Sequence, residues 1–103
     1  MKKIFLCCGA GMSSGFLAQT MRKAAKKKKL NYEIKAASES DIESYIGDTD
    51  IVLLGPHMTY LIDEVKDKAE QYKVPMVVIP EDIYGELDGE KMLEQVQSIL
   101  EKE

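Results

Sequence analysis

Lys3-Ile4-Phe5-Leu6-Cys7-Cys8-Gly9-Ala10-Gly11-Met12-Ser13-Ser14-Gly15-Phe16-Leu17 changes its hydrophobic period halfway along. After its lysine the run is continuously apolar as far as Cys7, as a strand buried on both faces is. From Met12 to about residue 28 the apolar positions Phe16, Leu17, Met21, Ala24 and Ala25 recur at helical spacing. A buried strand that turns through glycines into a helix is the first half of a β-α-β unit, so a parallel sheet is expected.

The rest of the chain repeats the alternation. Residues 32–36 alternate apolar and polar like a half-exposed edge strand. Ser40 and Glu43 have capping-box spacing, Ile42, Tyr45 and Ile46 form one apolar face, and Gly47 is the expected helix stop. Residues 50–54 are the clearest buried strand, closed by Gly55-Pro56. A helix then carries Met58, Leu61, Ile62, Val65, Ala69 and Tyr72 along one side. Residues 76–79, bracketed by Pro75 and Pro80, read as another buried strand, and 82–88 as turns. The last helix shows Met92, Leu93, Val96, Ile99 and Leu100. Right-handed crossovers give an α/β three-layer sandwich with a four-stranded parallel sheet in the order 2-1-3-4 and helices on both faces. That is a flavodoxin-like or low-molecular-weight-phosphatase-like arrangement, and residues 1–103 form one domain without linker or repeat.

Composition bounds the function. The chain is 45% apolar and 31% charged, and no apolar run approaches the ~20 residues of a membrane span. The first residues enter a strand with no signal-peptide pattern, so a cytoplasmic protein is expected. Cys7 and Cys8 are the only cysteines, and neighbours on a strand face opposite ways, which argues against a disulfide between them. One histidine and no Cys-x-x-Cys leave a zinc site or a thioredoxin-type centre without ligands. Net charge is −4, yet residues 1–35 hold nine Lys or Arg against Glu33 alone, and 36–103 hold five Lys against seventeen acids. Such polarity steers association without naming the partner.

Chemistry concentrates at Cys8. A thiol between a strand end and a helix start lies beside unpaired backbone N–H groups and the positive end of a helix dipole. Both favour the thiolate, which is the nucleophile, and the same N–H groups suit a phosphate. Gly9, Gly11 and Gly15 permit close backbone approach, while Ser13 and Ser14 add hydroxyl donors. Gly15 in the first turn costs ~1 kcal/mol relative to Ala, which suggests a need for space. These features point to a cysteine that becomes phosphorylated. A tight turn with a buried cysteine is the plainer alternative.

Three segments carry a family resemblance: Cys8-x-Ala10-Gly11-Met12-Ser13-Ser14, Val52-Leu53-Leu54-Gly55-Pro56 and Tyr84-Gly85-x-x-Asp88-Gly89. Together they resemble the cytoplasmic IIB component of the bacterial sugar phosphotransferase system (PTS), of the lactose/cellobiose (diacetylchitobiose) type. The resemblance implies a relay in which a phosphohistidine on a IIA protein phosphorylates Cys8. Phosphocysteine then passes the group to a sugar, such as the β-linked disaccharides cellobiose or lactose, during import through a membrane-embedded IIC permease. It implies a phosphate cradle of Gly9, Ala10, Gly11, Met12, Ser13, Ser14 and Gly15. It also implies a cytoplasmic protein held transiently at the inner membrane face by the permease. No cofactor, metal or nucleic acid enters this scheme. Gly9 and Gly15 stand where small polar residues are usual and His57 where glutamine is, departures that bear on partner and sugar rather than on reaction class.

The rival expectation is a small tyrosine phosphatase or arsenate-reductase-like hydrolase that uses Cys8 as nucleophile. Those enzymes resemble this loop but carry arginine six residues after the cysteine, where this chain has Ser14; its only arginine is Arg22. Asp82 is the residue such a hydrolase would use as general acid. A missing arginine suits a phosphoenzyme that must last until the sugar arrives. Cys7 is expected to be a buried strand residue. His57 either meets phosphate or the IIA surface, or faces solvent at a helix start. Tyr84 either lines the cleft or simply packs; the docking face is expected to surround Cys8, with Met12 and Phe16 near its rim and Met12 touching IIA. Lys26-Lys27-Lys28-Lys29 lies ~25 Å along the helix from Cys8 and reads as a solvated helix end, with acidic lipid heads as the other reading.

Overall fold

The computed structural model describes residues 2–8, 12–38 and 41–101, with the side chains at positions 8, 12–14, 38 and 57–59 outside the description. The order of elements is β1 (Lys2–Cys8), α1 (Met12–Lys27), β2 (Tyr32–Ser38), α2 (Ile42–Tyr45), β3 (Ile51–Leu54), α3 (Ile62–Gln71), β4 (Met76–Val78), α4 (Glu81–Glu86) and α5 (Gly89–Glu101). All pairings are parallel and the strand order is β2-β1-β3-β4, as the alternating pattern predicts.

Strand alternation divides the core into two layers. Ile4, Leu6, Ile34, Ile51 and Leu53 face α1 and α5, where Leu17, Met21, Met92, Leu93 and Val96 complete the packing. Phe5, Cys7, Val52 and Leu54 face the other way, onto Ile42, Ile46, Val65 and Ala69 of the α2–α3 side. Covering both faces explains why β1 and β3 read as unbroken apolar runs. β4 reads the same way but is only half-buried, because a three-residue strand at the sheet edge has one flank open.

Several expectations are corrected at element ends. Gly47 does not end α2 through a left-handed turn; the chain tightens into a 3₁₀ turn, Ile46–Asp48, and Thr49 is extended. Residues 56–61 form a 3₁₀ turn before α3 rather than its first helical turns. Residues 82–88 are not merely turns, since Glu81–Glu86 is helical. Tyr72, expected on the apolar side of α3, is 52% exposed. Ser40 lies outside the described residues, and the N-cap of α2 is Asp41, with no side-chain capping bond.

Helices α1, α3 and α4 share one stop. Lys29, Lys73 and Leu87 have φ of 59°, 56° and 54°. Each is followed by the long return bond of a Schellman motif: Leu30 N–H to Ala25 O, Val74 N–H to Ala69 O and Asp88 N–H to Ile83 O. The lysine run is thus a helix terminus, with Lys28 tied to Glu94 at 3.3 Å. A side chain in the left-handed region costs ~1–2 kcal/mol. Lys73→Gly should therefore raise the melting temperature by several degrees, at ~4–8 °C per kcal/mol for a domain of this size. A lower melting temperature would show that the lysine stem stabilises more than its backbone conformation costs.

Candidate functional site at the carboxyl end of the sheet

Strands β1, β3 and β4 deliver their connections to the same end of the sheet. Gly55 N–H donates to Cys7 O at 3.4 Å, and Ile79 N–H donates to Leu54 O at 2.8 Å. Residue 8, the 55–56 turn and the 79–80 turn therefore leave three adjacent strands side by side. The connection through α1 leads from β1 to β2 on one side, while the next crossover leads to β3 on the other side of β1, so this is the topological switch point where α/β sheets bind ligands.

Cys8 is the last residue of β1, the strand between β2 and β3, and pairs with Ser38. Gly9, Ala10 and Gly11 lie outside the described residues, as do the side chains of Cys8, Met12, Ser13, Ser14 and His57. The backbone of residues 12–15 opens the 16-residue helix α1, whose first four N–H groups have no partner within the helix. No acid occupies that first turn, and Lys26 and Lys27 occupy the last. By contrast α2, α3, α4 and α5 each begin with at least one carboxylate. The positive end of α1, which begins four residues after Cys8, thus has no carboxylate in its first turn.

Neighbouring residues divide clearly. Cys7 is fully buried on the α2–α3 side, as expected. Phe16 is 49% exposed, although its spacing allowed an apolar role. A Cβ at Gly15 meets no described heavy atom within 4 Å, so packing within the described chain does not require glycine there. Tyr84 is half-buried against the α1–α5 core, and Asp82 is exposed in the first turn of α4. Tyr60, passed over in the sequence, is 77% exposed on the 3₁₀ turn that follows β3. Its only signal was that it falls off the apolar stripe.

Arg22 is committed elsewhere. Its Nε and Nη2 donate to Ile34 O at 2.9 and 2.6 Å. Lys2 N–H donates to Asn31 O, so odd-numbered carbonyls of this segment face β1 and that of Ile34 faces the open edge of β2. The guanidinium caps a sheet edge, more than two turns of α1 from the loop. Arg22→Ala should cost about 1 kcal/mol of stability, seen as a melting temperature several degrees lower, with no change in reaction rate. A tenfold rate loss at unchanged stability would instead make it a phosphate clamp.

Two cavities lined by described residues lie elsewhere on the molecule. One of about 120 Å³ lies among Lys3, Phe5, Glu33, Lys35, Tyr45 and Asp48, towards the start of β1 and β2. A groove of about 310 Å³ runs between Thr20, Lys23 and Lys27 of α1 and residues 87–90.

A four-stranded parallel sheet in the order 2-1-3-4, with a cysteine closing its first strand ahead of an acid-free helix start, places the chain in the class of doubly wound α/β sandwiches. Within it, the chain belongs to the family described as "PTS system, Lactose/Cellobiose specific IIB subunit", whose model matches residues 3–95. It is a PTS IIB phosphocarrier, with phosphotransferase activity. It is 39% identical over 104 residues to the galactose-specific EIIB component of Lactococcus lactis subsp. cremoris (strain MG1363), covering 96% of both chains. The oligo-beta-mannoside-specific EIIB component of Bacillus subtilis (strain 168) is 36% identical over 100 residues, 97% of each. The lactose-specific EIICB component of Lacticaseibacillus casei is 28% identical over 99 residues, covering 94% of this chain and 17% of that longer protein. Among solved structures, the lactose-specific IIB domain from Streptococcus pneumoniae superposes with a TM-score of 0.85 at 20% identity, over 94% of this chain and 95% of that one. YwlE from Bacillus subtilis shares the sheet at a TM-score of 0.57 and 16% identity, over 98% and 99% of the two chains. No helix among the described residues is long and apolar enough to cross a membrane.

Proposed function

We propose that Cys8 is the residue that carries the phosphoryl group, received from a phosphohistidine on a IIA protein and given to a sugar held by a IIC permease. The observation that carries this reading is the position of Cys8 at the end of β1, four residues before the acid-free start of α1. In the first step the thiolate sulfur attacks phosphorus in line. An S–P bond forms, the P–N bond breaks, and the imidazole nitrogen keeps the electron pair. In the second step a sugar hydroxyl oxygen attacks the same phosphorus, its O–H bond breaks with the proton passing to solvent, the S–P bond breaks and Cys8 returns as thiolate.

Phosphoryl transfer asks chiefly for position and electrostatic support. Backbone N–H groups of residues 10–15, with the hydroxyls of Ser13 and Ser14, hold the three equatorial oxygens. The helix end contributes ~0.3–1 kcal/mol, up to ~2 when partly buried. Several directed N–H bonds in a water-poor cleft contribute more. With Arg22 engaged on the β2 edge, nothing favours a hydrolytic reading.

A IIC partner is supported by the Lacticaseibacillus casei relative, whose name joins IIC and IIB in one protein. The site of work is then the cytoplasmic face of the membrane. The sugar is of the β-linked class suggested by the family, while the sugars that the relatives' names carry, galactose and oligo-beta-mannoside, differ at 39% and 36% identity to this chain. That spread is consistent with sugar choice residing in the permease. The test is intact-protein mass spectrometry after incubation with phosphoenolpyruvate, the general PTS proteins and a IIA protein of this type. One added phosphoryl group that is discharged by permease and sugar supports the relay. Steady turnover of an aryl phosphate would replace it with a hydrolase.

A further inference from the structure

Charge is distributed over most of this chain, 14 Lys and Arg and 18 acids in 103 residues, but not over two tracts. Residues 4–21 hold no charged side chain, and residues 51–62 hold none apart from His57. Part of each tract is core strand and needs no further explanation. The remainder, the first turns of α1 and the 3₁₀ turn Pro56–Leu61, emerges beside Cys8 at the carboxyl end of the sheet. These segments carry Phe16 and Tyr60, two of the three large exposed apolar side chains among the described residues. The third side of this end differs. Helix α4 leaves β4 with Glu81, Asp82 and Glu86 all exposed.

We propose that Phe16 and Tyr60 are the apolar contacts on which the phosphohistidine-bearing donor protein seats, and that the acids of α4 bar approach from the β4 side. This rests on the reading of Cys8 as phosphoryl acceptor. A phosphoryl group brings nearly two negative charges, so the surface that receives it must be free of carboxylates. The α1 and 3₁₀ segments meet that condition, while a chain of net −4 offers few such faces. Large aromatic rings supply contact area at little entropic cost, and they recur among the residues that dominate interface energetics. Neither ring is needed for the core, since Phe16 lies off the buried stripe of Leu17, Ala18, Met21, Ala24 and Ala25.

The experiment measures transfer from a phosphorylated IIA protein of this family to wild type, Phe16→Ala, Tyr60→Ala and Glu81→Lys/Glu86→Lys. The rate of Cys8 alkylation by iodoacetamide and the melting temperature are followed in parallel. Each alanine variant should lower kcat/KM about tenfold, through KM, with alkylation and melting unchanged. The double lysine variant should raise kcat/KM several-fold at low salt and lose that gain at high salt. Wild-type transfer rates in both alanine variants would overturn the docking assignment alone, as would a loss matched by slower alkylation. No transfer to wild type from a IIA protein shown to be phosphorylated would overturn this proposal together with the Cys8 reading.

Discussion

Cys8→Ala is expected to accept no phosphoryl group, whereas Cys7→Ser accepts one at close to the wild-type rate. The two thiols are neighbours in sequence, so the pair isolates position from chemistry. Alanine removes the only atom able to form the S–P bond. Cys8→Ser is a softer lesion, because a hydroxyl oxygen is itself a phosphoryl acceptor, but its far higher pKa leaves almost no anion at neutral pH. A drop of at least about 10³-fold in transfer rate follows, within the range seen when a nucleophile is deleted from other enzymes. Cys7 is fully buried among Phe5, Ile42, Val65 and Leu54, so a hydroxyl there costs stability, about 1–3 kcal/mol, rather than rate. Intact-mass measurement of transfer and thermal melting separate the two effects. A phosphoryl group on Cys8→Ala, or loss of transfer in a folded Cys7→Ser, would move the nucleophile elsewhere.

Sheet order was legible because three strands read as unbroken apolar runs and every connection held a helical pattern, which only a covered parallel sheet accommodates. The position of Cys8 followed from the same change of period. What escaped depended on tertiary contact. Residues 81–86, Glu-Asp-Ile-Tyr-Gly-Glu, carry a glycine and three acids and read as turns. They form a helix because Ile83 reaches the α1–α5 core and the leading carboxylates suit a helix start. The periodicity that put Tyr72 on the apolar side of α3 had no means of showing that the helix ends at Gln71, one residue before it. Nor does any local pattern show that Arg22 meets a carbonyl twelve residues later. For the site, residue types were readable, but the exposure of Tyr60 was not, since it depends on a 3₁₀ turn where a continuous helix was expected.

Gly89→Ala should destabilise the fold, although alanine is normally the better helix residue. Gly89 opens α5 and is buried where that helix meets α1. A Cβ there would overlap Thr20 Oγ1, the Thr20 carbonyl carbon and the Met21 backbone nitrogen. Two of those atoms are backbone inside a helix. The third is held in place, because Thr20 Oγ1 donates to Leu17 O at 2.8 Å. No rotamer change relieves the contact, so α5 must shift away from α1. Overpacking of this kind costs ~1–3 kcal/mol, which outweighs the ~0.5–1 kcal/mol that replacing glycine ordinarily gains. A melting temperature lower by roughly 4–8 °C per kcal/mol is expected. Gly15→Ala supplies the opposite sign, since a Cβ at that position meets no described atom and the gain in helix propensity stands alone. The consequence reaches the site, because α5 seats α1 and α1 begins four residues after Cys8. Gly89→Ala should therefore slow phosphoryl transfer as well as lower the melting temperature. Stabilisation by both substitutions would show that the α1–α5 contact is looser than this geometry requires.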